Sequence, residues 1–191
     1  MAMNELNALS IGVSPDGLKN RTSIKVLVCG MLSRVDGSLD RKGLIDVIYG
    51  RSLANYMELC SAIEELRQSG NIAEREDGSL FATDEGRAAS DELWAELPLT
   101  VREKAIAAAE KYCSRLRSER DNTFSVEELE HGCRVRCSIN DGGEELMGIS
   151  FYLPNKSYVK AVRERFYSEP EYIYQMILAQ LTGDSSIAPE S

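Results

Sequence analysis

The chain is short of the residues from which catalytic and metal sites are usually built: one histidine, one tryptophan, five prolines and five cysteines in 191 residues. His131 stands alone. A Ser-His-Asp or Cys-His relay would have to rest on that one imidazole, at the end of a predicted strand and with no nucleophile motif beside it. The cysteines, Cys29, Cys60, Cys113, Cys133 and Cys137, are odd in number and include no Cys-x-x-Cys pair. That pattern suits neither a secreted disulfide framework nor a zinc knuckle. No Gly-rich phosphate loop is present, and a hairpin turn accounts for Gly142-Gly143. No apolar run approaches the ~20 residues that span a bilayer, and the N-terminus lacks the basic start and apolar stretch of a signal peptide. The expectation is a cytoplasmic protein that is not an enzyme and uses no metal, cofactor or membrane.

Positive charge is scarce as well. Lys and Arg number 22 against 31 Asp and Glu, a net charge of -9. Up to Leu97 there are 10 basic and 16 acidic residues, and from Pro98 onward 12 and 15, so neither half is basic. Duplex DNA is a dense line of negative charge, and the chain as a whole repels it. What the sequence does have is an ordinary globular composition, 43% hydrophobic and 28% charged, sufficient for one large or two small packed domains.

Residues 1–19 show little periodicity and contain Gly12, Pro15 and Gly17, which predicts a flexible arm. Thr22 is a candidate N-cap for a first helix to about Arg34, with Ile24, Leu27, Val28, Met31 and Leu32 on one face. Asp36-Gly37-Ser38 is a turn, and Asp40 caps a short second helix carrying Leu44, Ile45 and Ile48. Asn55 caps a third helix, with Glu58 at the capping-box position and Leu59, Ile63 and Leu66 inward, ended by Gly70. The period then changes to that of two short strands, Ile72 to Arg75 and Ser79 to Ala82, joined through Asp77-Gly78. A fourth helix from Thr83 lasts until Pro98.

A linking helix over 98–120 follows, with Pro98 in its first turn. Strands are predicted at Phe124 to Glu130, around Cys133 to Ile139, and from Met147 to Leu153, the last two flanking Asn140-Asp141-Gly142-Gly143. Val159, Val162 and Phe166 mark a helix. Ser168 and Glu171 form a capping box for a last one bearing Ile173, Ile177 and Leu181, and residues 183–191 read as a disordered tail. The fold class is therefore α+β: a helical domain with a hairpin over 20–97, the linking helix, and a small domain over 121–182 of three antiparallel strands and two helices.

The segments Ile24 to Arg34, Leu44 to Ile48, Leu59 to Gly70, the Asp77-Gly78 hairpin and Ala82-Thr83-Asp84-Glu85-Gly86-Arg87 resemble the winged helix-turn-helix regulators. The span from about Asn20 to Leu181 is similar to an uncharacterised bacterial family, a domain of unknown function with a winged-helix N-terminus. The resemblance implies a dimeric DNA-binding transcriptional regulator with double-stranded DNA as partner and a homodimer as assembly. It implies no catalytic residue.

In that arrangement the third helix enters the major groove by its N-terminal end. The candidates there are Asn55, Tyr56, Glu58, Ser61 and Ala62, with Arg51 just before them and Arg75 on the wing. Lys19, Arg21, Arg41 and Lys42 are candidates for phosphate contact. Against this, residues 51–82 hold three basic residues and six acidic ones, Glu58, Glu64, Glu65, Glu74, Glu76 and Asp77. The same count motivates an alternative, an interaction module whose acidic third helix and wing bind a basic protein partner. Lys104, Lys111 and Arg115 recur at helical spacing, but Glu103, Glu110 and Glu119 interleave, so a solvated surface is expected. Cys133 and Cys137 share one strand face and are expected as small buried apolar residues.

Overall fold

A computed structural model describes residues 13–15, 17–35 and 38–189. They form seven α-helices and two three-stranded antiparallel sheets, an α+β chain. The chain divides into two compact units, one ending at Cys113 and the other beginning at Ser114. The expectations for residues 1–12, for Asp36-Gly37 and for the last two residues lie outside the described residues.

Helix α1 (Arg21–Arg34) opens the first unit. Its cap is Asn20 rather than Thr22: Asn20 keeps an extended backbone outside the helix, and its side chain accepts a hydrogen bond from Thr22 N at 2.7 Å. Periodicity marks Ile24, Leu27, Val28 and Met31 as the inward face, and all four are buried. Val26, Cys29 and Gly30 are buried too, because α1 packs against α3 on one side, α4 on another and β3 on a third. It is the central rod of this unit rather than an amphipathic cover.

Strand β1 (Leu39–Asp40) and helix α2 (Arg41–Gly50) follow, with the Asp40 carboxylate accepting from Gly43 N at 2.7 Å. Helix α3 (Tyr56–Gln68) is capped by Asn55, whose side-chain oxygen accepts from Met57 N at 2.9 Å and Glu58 N at 3.4 Å. It buries Leu59, Ala62, Ile63 and Leu66, a spacing that defines a single face. Strands β2 (Ile72–Glu74) and β3 (Ser79–Ala82) make the hairpin, turned at Gly78 with φ +81 and held by Asp77, which accepts from Ser79 N and Oγ. The sheet order is β1-β3-β2, with Leu39 opposite Leu80 and Ile72 opposite Ala82. β1 has no sequence signal, since two residues carry no period.

Helix α4 (Asp84–Leu93) is capped by Thr83, whose hydroxyl accepts from Gly86 N and donates to Gly70 O, tying the start of α4 to the end of α3. It stops short of Pro98, giving way to a 3-10 turn at Trp94–Glu96. Helix α5 (Leu99–Asp121) runs one residue later at each end than the expected linking helix. Its first part belongs to this core through Val101, Ala105, Ala109 and Cys113. Residues assigned to the arm also pack: Leu18 is buried and bridges to Ala54, and Ser14 N donates to Ser52 O.

In the second unit the end of α5 is followed by β4 (Thr123–Glu128), β5 (Cys133–Asp141), β6 (Glu144–Leu153), α6 (Tyr158–Ser168) and α7 (Pro170–Thr182). The strands form a meander in the order β4-β5-β6. Gly142 and Gly143 both have positive φ, as a two-residue hairpin turn requires. Along β5, Cys133, Val135, Cys137 and Ile139 point into a core closed by Phe166. Arg134 and Arg136 point outward and pair with Glu127 and Glu145. The expected capping box at Ser168 is absent: Ser168 ends α6, and Pro170 starts α7, its fixed φ and missing N–H suiting the first turn. The tail contains a 3-10 turn at Ser185–Ile187, capped by Asp184 onto Ser186 N.

Two glycines test how closely the first unit is packed. A Cβ on Gly30 would stand 2.2 Å from the Trp94 ring, whereas one on Gly50 would meet nothing within 4 Å. Gly30→Ala is expected to destabilise the protein by about 1–3 kcal/mol through overpacking. Gly50→Ala is expected to stabilise it by about 0.5–1 kcal/mol through helix propensity. Urea unfolding midpoints of the two variants check both signs.

Candidate functional site

The candidate site is the outer face of α2 and α3 with the β2–β3 hairpin. Burial of Leu59, Ala62, Ile63 and Leu66 fixes the rotation of α3, so Met57, Ser61, Glu64 and Gln68, at helical spacing, face outward. Ala62, expected among the reading residues, is part of the core. Met57 is 68% exposed. Beside it the Tyr49 and Tyr56 rings meet edge to face with centroids 5.6 Å apart, and both are exposed.

Of the three acidic residues of α3, only Glu64 is on that face. Glu58 and Glu65 lie on the flank turned to α1, where Arg21 Nε donates to Glu58 Oε2 at 2.8 Å and Arg21 Nη1 to Glu65 Oε1 at 3.0 Å. Lys25, one turn on, holds Glu65 Oε2 at 2.6 Å. The bond from Lys25 is the main reason the Glu65 carboxyl lies below its ordinary range, with Arg21 adding to it and partial burial opposing. Glu74 pairs with Arg67 at 3.1 Å. Of the six acidic residues between 51 and 82, three are thus matched by a cation. Of the rest, Glu64 accepts from Gln68 at 3.2 Å and Asp77 is occupied in the hairpin turn.

The cations anticipated as phosphate contacts separate into two groups. Arg21 is taken up by α3's glutamates, and Lys42 donates to Asp46 at 2.7 Å within α2. Arg75 folds back over Phe81, its guanidinium 4.7 Å from the ring centroid and within hydrogen-bond reach of Ser79 Oγ. Arg41, at the start of α2, and Arg51, just after its end, are exposed, and neither forms an ion pair among the described residues, nor does Lys19. Asn55 has its side-chain oxygen committed to the cap. Lys25 and Met57 were not among the sequence candidates. Both can be found on a helical wheel, Met57 opposite Leu59 and Ile63, and Lys25 one turn from Arg21.

Elsewhere the chemistry is sparse. His131 is exposed, and its carbonyl accepts from Tyr152 Oη at 2.7 Å. Among the described residues no group of three or more His, Cys, Asp or Glu side chains could hold a metal ion, and no helix is long and apolar enough to cross a membrane. Arg115 is gripped by Glu119 and Glu164, which removes it from any basic stripe on α5. A cleft of about 160 Å³ opens between α1, α3 and α4, lined mainly by apolar groups such as Val26, Cys29, Leu66 and Leu93.

A family model for a domain of unknown function, DUF4364, matches residues 24–181, from the first turn of α1 to the last turn of α7. The chain belongs to the DUF4364 family. No curated protein and no solved structure matches it. The DUF4364 match takes in both compact units, so the site on α2 and α3 and the C-terminal sheet belong to one family domain.

The cysteines divide by burial. Cys29 and Cys137 have thiol pKa values pushed up to about 11 by burial, and Cys113 and Cys133 are buried as well. Cys60, on α3, is half-buried. Iodoacetamide at mildly alkaline pH is expected to modify Cys60 first and the other four only on unfolding, as read by peptide mass spectrometry. Equal labelling of Cys137 would show that the sheet's inner face is open.

Proposed function

We propose that residues 20–97 are a winged helix-turn-helix domain that binds duplex DNA as a non-enzymatic transcriptional regulator, with α3 as the reading helix and the β2–β3 hairpin as the wing. The observation that carries this reading is the placement of charge. Arg21 and Lys25 on α1 hold Glu58 and Glu65 on the flank of α3, so its outward row of Met57, Ser61, Glu64 and Gln68 bears one charge. Net charge governs non-specific attraction, whereas groove contact depends on the few groups that face the duplex. The order helix, strand, helix, helix, hairpin, helix supports the same reading, as does the position of Arg41 and Arg51 at the two ends of α2, exposed and without ion pairs among the described residues.

The test is fluorescence-anisotropy titration of a mixed pool of duplexes across a salt series. Binding should weaken with salt, and Arg41→Ala with Arg51→Ala should lower affinity by about tenfold and the salt slope by about 2, one for each phosphate that is no longer neutralised. Lys42→Ala, whose ammonium already serves Asp46, should change little. Met57→Asp should abolish binding without altering the melting temperature, since the side chain is exposed. Absence of binding even at low salt would pass the assignment to a protein-interaction module, for which Tyr49, Tyr56 and Met57 offer an exposed apolar cluster.

A further inference from the structure

Helix α7 is out of keeping with its surroundings. Between Pro170 and Thr182 its only charged residue is Glu171, and apolar side chains lie on nearly every side. A helix of that composition is ordinarily buried all round. Here only Ala179 is fully buried. The stripe of Ile173, Ile177 and Leu181 begins against the unit's own core, where Ile173 packs, and ends with Leu181 81% exposed.

The sheet beneath shows the same shortfall on one side. On the β4 edge the cover is good: Phe124 packs on Phe166 and Tyr167 of α6. The inner residues of β5 are fully buried. On β6, the opposite edge, Met147, Ile149, Phe151 and Leu153 face the same way but remain half-buried. A domain of this size has little core to spare, and leaving these side chains half wet forgoes much of the stabilisation that their burial would bring.

We propose that α7 and the uncovered side of β6 form a homodimer interface in which a second copy of this chain supplies the missing cover. Charge argues for a second copy. Each chain carries -9, so two copies repel over most of their surfaces, and a face with one charge on α7 and none from Leu146 to Leu153 lets them approach without that cost. A basic partner would gain nothing from such a face. Size is consistent too: a 13-residue helix is roughly 20 Å long, and with β6, whose inner residues pack against the same core as Ile173 and Tyr174, gives about 400 Å² in projection, more with side-chain relief. That is of the order of the ~800 Å² per partner expected of a stable dimer. A two-fold axis would set the same patch against itself.

This deepens the regulator reading, since two half-sites call for two reading helices, but it does not depend on DNA affinity. The test is sedimentation-equilibrium analysis of the full chain and of two variants, Leu181→Glu and, at a half-buried position of α7, Leu178→Glu, with far-ultraviolet circular dichroism to check folding. The wild type is expected at twice the chain mass of 21.2 kDa. Leu181→Glu, at an exposed position that does not threaten the fold, is expected to weaken the dimer by about tenfold or more, because the carboxylate would be buried unpaired in the interface. A wild type that is monomeric at high micromolar concentration, or a dimer that survives both substitutions, overturns the proposal. A dimer without DNA binding would leave it standing and sink the DNA reading alone.

Discussion

The first unit depends on burying α1 on nearly every side. A 14-residue helix that runs through Val26, Leu27, Val28, Cys29, Gly30 and Met31 without a polar side chain has no polar face to leave in water over that stretch, so other elements must surround it. α3 and α4 do so from two directions and β3 from a third. Gly30 makes the closest approach possible: with no Cβ, it leaves room for the Trp94 ring, over whose face the Arg34 guanidinium lies at 4.4 Å. Once α1 is central, the rotation of α3 follows, because Leu59, Ile63 and Leu66 must meet it.

That rotation also decides where the charge goes. The side of α3 next to its buried stripe carries Glu58 and Glu65, and the exposed first turns of α1 present Arg21 and Lys25 to them. Surface ion pairs of this kind add little to stability, and their consequence here is one of position. They hold two acidic side chains against α1, so α3 presents to solvent a face of low charge. A chain with net charge -9 thereby keeps one surface of low charge.

In the second unit a different constraint operates. A three-stranded sheet with Arg134 and Arg136 on its outer face needs cover on the other face only. α6 supplies it at the β4 edge, where Phe124 meets Phe166 and Tyr167. The buried polar link of Asn122, accepting from Asn140 N at 3.0 Å and bonding Ser118, ties the start of the sheet to the end of α5. What is left at the β6 edge is apolar surface on a mostly uncharged helix and strand.

Most of the element order was legible from the sequence, because it rests on local chemistry. Asp40 and Asn55 as caps, Gly70 and Gly78 at positive φ, the Gly142-Gly143 hairpin and the alternation along β5 need only near neighbours. Where expectation and structure differ, two local solutions competed: Asn20 or Thr22 for one cap, Ser168 or Pro170 for one helix start. The site was legible only in outline. Arg41 and Arg51 stand exposed as anticipated, while Arg21 is spent on glutamates that stand 37 and 44 residues away in the chain. By itself the sequence determined the helices, the two hairpins and the total charge, which depend on spacing and composition. Only the tertiary structure decided which charges face one another, that β1 exists, that α1 is central and that α7 is left half-covered, because each depends on contacts between segments with no local signature.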